Sequence, residues 1–233
     1  MAYKNKYTEF LNSLIKKLTK LEMEFSDNDP DGRYNSIKDE KTAIKLIKRI
    51  YKEKPLKGYK IVEGKKRFWY DIAFENKKDE NDIIPINIKI STLGTDNIDG
   101  KEGIFYALTG KNPTNFKTLT WESFMNSLKE NLDPDVDASK DYYFFIFNKN
   151  KEKGQKCDCF WASLKTLKTL TTNPENLPFQ TKWSDNRKPV KRNNKSAFKF
   201  IIEHLRDGHQ KRINISETTI GSCNEILNTI KQK

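Results

Sequence analysis

The sequence predicts the α/β (α+β) class, a central mixed β-sheet flanked by helices, and three patterns carry that expectation. Residues 67–75 and 86–91 alternate with period two, which is strand periodicity. Residues 142–147 form an apolar run too short to span a membrane, which reads as a central strand buried on both faces. Apolar residues recur at helical spacing near both ends of the chain, and helices packed on a sheet complete the class. A length of 233 residues fits one domain, and 14 Phe, 9 Tyr and 4 Trp supply a sizeable core despite a mean hydropathy of −0.85.

The elements follow in order. Phe10, Leu11, Leu14, Ile15, Leu18 and Leu21 predict a first helix over about 6–24. A polar loop over 26–32 leads to Ser36, which caps a second helix with Asp39 at its third position, running to about 54 before Pro55. Two strands joined by the charged connection 76–82 make a hairpin. The turn-forming stretch 91–100 enters a helix over 102–108 that ends at Gly110. Thr120 caps a helix over 121–131, reinforced by Glu122. The strand over 141–148 is followed, after a charged turn, by a strand containing Phe160, Trp161 and Ala162. Helices over 197–205 and 220–230 close a single domain, 1–233. It divides into an N-terminal helical part (1–55), a hairpin with its following helix (56–110) and the remaining sheet, basic loop and C-terminal helices (111–233).

In the first hairpin strand Phe68, Tyr70, Ile72 and Phe74 fall on one face and Trp69, Asp71, Ala73 and Glu75 on the other. In the second, Ile86, Ile88 and Ile90 alternate with Asn87, Lys89 and Ser91. Pairing the strands brings Asp71 near Asn87 and Lys89. A carboxylate and an amide oxygen are hard ligands that suit Mg²⁺. A lysine beside them orients a water or offsets charge on a phosphorane-like transition state.

Asp71, Asn87 and Lys89, with the run Pro85-Ile86-Asn87-Ile88-Lys89-Ile90-Ser91-Thr92, resemble the PD-(D/E)XK nuclease signature of type II restriction endonucleases, in the variant with Asn at the second acidic position. Tyr70 stands where the signature has Pro. The resemblance implies a restriction-endonuclease-like core and Mg²⁺-dependent hydrolysis of double-stranded DNA leaving a 5′-phosphate. Asp71, the Ile88 carbonyl, Asn87 and Glu40 would be the metal ligands and Lys89 would act on the water. It also implies a helix that brings a glutamate toward the metal. Glu40, one turn before Ile44 on the stripe with Ile47 and Tyr51, is the candidate. The alternative for Glu40 is a first-turn acid that favours the helix N-terminus and faces solvent.

Lys and Arg total 44 against 32 Asp and Glu, a net charge of +12 that favours polyanionic partners. Arg33 and Asn35, in the loop ahead of the second helix, are placed to contact phosphate and base edges, as are Ser91 and Thr92 after the catalytic strand. The segment 182–195 is the strongest basic stretch. Arg187, Lys188, Lys191, Arg192 and Lys195 could line a duplex backbone, while Asn186, Asn193 and Asn194 could reach bases; the other reading is a solvated loop.

Cys157 and Cys159 lack a second ligand pair at zinc spacing, so reduced thiols are expected. No 18-residue apolar run or signal core is present, so a cytoplasmic protein with no membrane partner is expected. The function expected is a type II restriction endonuclease, acting as a homodimer on a two-fold DNA site, with a cognate DNA methyltransferase as its biological companion. A junction or repair nuclease of the same fold and a non-catalytic basic DNA-binding protein are the alternatives.

Overall fold

Leu11, Leu14 and Leu18 lie on one stripe of α1 (Thr8–Leu18), each no more than 3% exposed. The computed structural model describes residues 6–25, 32–65, 68–98, 100–118, 120–149, 154–172 and 179–231; for 32–36, 218 and 225–231 it describes the backbone alone. The first helix stops short of its predicted end, and Glu22 instead pairs with Lys156 in an isolated bridge. The second helix, α2 (Gly32–Glu53), starts four residues before Ser36. A serine cap is worth only about 1 kcal/mol, too little to fix a boundary by itself. Strand β1 (Tyr59–Glu63), which the alternation did not reveal, follows.

The hairpin is present as β2 (Ile72–Asn76) and β3 (Ile83–Ser91), antiparallel with Ile72 opposite Ile86. After β4 (Thr95–Ile98), α3 (Lys101–Thr109) ends on Gly110 at φ 68°, and α4 (Trp121–Asn131) starts on a capping box between Thr120 and Ser123. These two helices carry the chain to β5 (Tyr143–Asn148), which lies parallel to β3, and β6 (Cys159–Ser163) pairs antiparallel with β5. The main sheet therefore runs β1-β2-β3-β5-β6 and is mixed.

A second sheet, β4-β8-β7, was not expected. In it β4 pairs with β8 (Phe179–Lys182), and β8 with β7 (Thr171–Thr172). Part of the predicted corner before β8 (173–178) and part of the charged turn after β5 (150–153) lie outside the described residues.

Both faces of the main sheet are covered. Ile72, Phe74, Ile86, Ile88, Tyr143 and Phe145 pack against α1 and α2. Ala73, Ile83, Phe144 and Ile146 pack on the opposite side with α3, α4, the second sheet and the start of α5 (Asn194–Lys231). The expected polar outer face of the hairpin is thus corrected: Ala73 is fully buried and Trp69 is 7% exposed. Alternation in β2 begins only at Ile72, because Phe68, Trp69 and Tyr70 all pack on the same side as Ala73. Tyr143 to Phe147 are all 0% exposed, as a central strand in a covered sheet requires.

The two predicted C-terminal helices are one helix of 38 residues. Gly208, where a break would fall, is buried, and the His209 ring meets Trp121 edge-on at 4.6 Å. A glycine costs about 1 kcal/mol in a helix, which packing there offsets.

Candidate active site

Asp71 stands immediately before β2 and is fixed to its neighbours by backbone and side chain. The Gly64 amide donates to the Asp71 carbonyl at 2.9 Å, and the Asp71 amide donates to Ile86 at 3.0 Å. The Ile88 amide donates to Asp71 Oδ2 at 2.6 Å. Of the Ile88 backbone, then, it is the N–H that meets the carboxylate. Gly64 is needed here because a Cβ would collide with the Tyr70 carbonyl oxygen one residue before Asp71. Behind the aspartate, Phe68 and Trp69 meet the Tyr70 ring edge-on at 4.7 and 5.0 Å, and Tyr142 Oη donates to the Trp69 carbonyl at 2.8 Å.

Glu40 reaches this point from α2. Its side chain is hydrogen-bonded to that of Asp71, and both interact electrostatically with Lys89. The solvent-facing alternative for Glu40 is therefore not the arrangement found. Burial pushes the Glu40 carboxyl up and the neighbouring Asp71 carboxylate adds to this, to about 7, with Lys89 and Lys41 opposing. Burial also raises Asp71, opposed by the Ile88 amide, by Lys89 and by its bond to Glu40. Two acids thus share a partly dry site with one ammonium group. The like-charge conflict is relieved by a proton on Glu40, or by a cation bridging the pair.

Asn87 and Lys89 leave β3 on the same side, opposite Phe144 and Ile146 of β5. Asn87 Oδ1 is buried without a hydrogen-bond partner. An orphaned buried acceptor is uncommon and marks a position where a ligand, ion or water is accommodated. The donor set fits Mg²⁺, which is held by one or two carboxylates and completes its shell with water and substrate phosphate. Among the described residues no third Asp, Glu, His or Cys gathers with Asp71 and Glu40.

The residues expected to contact DNA divide. The side chains of Arg33 and Asn35 lie outside the described part of α2, although their backbone is helical rather than a loop. Ser91 is 2% exposed and its Oγ accepts from the Leu93 amide at 3.0 Å, so it shapes a turn instead of presenting a hydroxyl; Thr92 beside it is exposed. That turn holds Leu93 at φ 65° and ties to the segment after β8 through Ser184 N to Leu93 O at 3.1 Å.

In the basic segment, Arg187 donates to both oxygens of Asp158 at 3.0 and 2.6 Å and lies over the Phe160 ring. Arg192 donates to the Leu167 carbonyl at 2.7 Å and stacks 4.1 Å from the Phe200 ring centre. Asn193 caps α5 by accepting from the Ser196 amide at 2.8 Å. Asn186 is 3% exposed, with its amide bonded to Thr169, Thr181 and the Lys182 carbonyl. The expectation that these four side chains project toward a ligand is corrected: they hold the segment to the body of the protein, and Lys188, Lys191 and Lys195 remain exposed.

Sequence reasoning missed Gly64 and the role of the aromatic triplet Phe68-Trp69-Tyr70 as backing for Asp71. The triplet itself was the available signal, since three consecutive aromatics cannot all alternate across a strand. No family model and no curated protein matches the chain.

Proposed function

We propose that the protein is a Mg²⁺-dependent endonuclease that hydrolyses phosphodiester bonds of double-stranded DNA, of the type II restriction class. The observation that carries this reading is the convergence of Glu40, Asp71 and Lys89, from a helix, a strand entry and a neighbouring strand, into one charged cluster. Asp71 and Glu40 would hold the cation, with Asn87 at the edge of the site. When bound, it supplies Lewis-acid polarisation of the phosphoryl group. Lys89 Nζ donates to the attacking water and to the scissile phosphate, offsetting charge that grows in the transition state. The bonds from Gly64, Ile86 and Ile88 keep Asp71 from moving when the substrate arrives. A net charge of +12 supports a polyanionic substrate, and action as a homodimer on a two-fold site, with a companion methyltransferase, belongs to the same proposal.

The test is incubation of the purified protein with phage DNA, with and without Mg²⁺. Discrete fragments that require Mg²⁺ are the expected result. Lys89→Ala and Asp71→Ala are each expected to lower the cleavage rate at least 100-fold, in line with loss of a charge-stabilising group, while duplex binding persists. An Asp71→Ala protein that still cuts at the wild-type rate removes the assignment.

A further inference from the structure

We propose that a cleft beside β3 receives a single nucleobase turned out of the DNA stack. The proposal rests on the nuclease reading, because the base must belong to a nucleic acid lying across Asp71 and Lys89.

The cleft has a volume of about 900 Å³, within the range of small-molecule sites. Phe68, Trp69, Phe116 and Tyr142 give it aromatic walls, and Asn87 and Glu102 are among its polar lining. Trp69 is 7% exposed, and its indole N–H, like Asn87 Oδ1, has no hydrogen-bond partner. One wall therefore holds an unmet donor and an unmet acceptor, which is the complement of a base edge. Aromatic faces stack bases with little regard to identity, and Asn and Glu side chains pair with base amino groups. Glu102, whose Oε1 accepts from Thr118 at 3.3 Å, repels phosphate, so the interior suits a base and not the backbone. The cleft also adjoins the reacting centre, since Asn87 precedes Ile88, whose amide binds Asp71. An extruded base is the occupant that satisfies all of these at once, because a paired base keeps its edge and faces covered.

The experiment uses the full-length protein without Mg²⁺, so that no cleavage occurs. A 20-base-pair duplex carrying one bulged 2-aminopurine is compared with the same duplex in which 2-aminopurine is paired, and with free 2-aminopurine riboside. The bulged duplex is expected to bind at least 10-fold more tightly than the paired one, with its fluorescence quenched by stacking. Trp69→Phe and Glu102→Gln, either of which suffices if the other does not fold, are expected to bring the bulged duplex to within 2-fold of the paired one. Equal affinity for the two duplexes, unquenched fluorescence, or riboside binding as tight as the bulged duplex would overturn the proposal. DNA cleavage with no quenching defeats the cleft alone. Quenching with no cleavage under Mg²⁺ defeats the nuclease reading and leaves a base-binding protein.

Discussion

At the scale of single residues, Glu40 makes the most specific commitment. Its carboxyl lies near 7 in the fold, against an ordinary value of 4.5, because burial and Asp71 both disfavour its charge. Between those values the folded protein binds a proton that the unfolded chain releases. This contribution to stability is full below about 4.5 and disappears as pH rises through 7. The thermal midpoint of the metal-free protein should therefore fall relative to that of Glu40→Gln as pH goes from 5 to 8, and Mg²⁺ should restore it. Cation affinity should rise over the same interval as the proton departs, measured by calorimetry in buffers of different ionisation enthalpy. A metal-free midpoint whose pH dependence matches that of Glu40→Gln would show that Glu40 does not hold the proton.

At the scale of elements, two connections position the site. Gly64, at the end of β1, lets that strand approach Tyr70 closely enough to bond Asp71. Gly64→Ala should displace Asp71, so that cleavage falls at least 10-fold; the overpacking should cost about 1–3 kcal/mol in chemical unfolding. The second connection is Asp82, in the hairpin turn. It accepts from Tyr59 at 2.5 Å, from Asn76 at 2.9 Å, from Lys6 at 3.2 Å and from Tyr7, tying the start of α1 to β1 and β2. Burial alone would raise its carboxyl, but these donors together hold it well below the ordinary carboxylate range. Its stabilisation is therefore present above an unfolded value of about 3.9 and is lost as pH falls below that. Asp82→Ala should lower stability at pH 7 by about 3–5 kcal/mol, since the carboxylate's removal leaves buried donors unpaired. Acid unfolding of the wild type should steepen below pH 4, and the variant should lack that steepening.

At the scale of the whole molecule, the sheet joins the parts. Strands β3 and β5 are covered on both faces, and the α1–α2 layer delivers Glu40 while the α3–α4 layer builds the aromatic cleft. The far end of α5 takes little part: 210–217 are all exposed, including Ile213 and Ile215 at about half. Ending the chain after residue 217 should leave the thermal midpoint within about 2 °C, a shift of well under 1 kcal/mol for a protein of this size. A larger drop would mean that this end of α5 is packed in solution.

Signals carried within a few residues were legible in the chain. Gly110 and the Thr120 cap bounded α3 and α4, the aromatic run at 143–147 announced a doubly buried strand, and Asp71, Asn87 and Lys89 fell together because hairpin pairing is local. Tertiary structure alone decided the rest. Whether Glu40 faced inward depended on how α2 packs on a sheet whose strands come from beyond residue 58. Whether Arg187 and Arg192 were available depended on Asp158 and on the Leu167 carbonyl, 29 and 25 residues away in sequence. A side chain's charge can be read from the sequence, but the partner that engages it is set by which distant segments the folded core brings within hydrogen-bond reach.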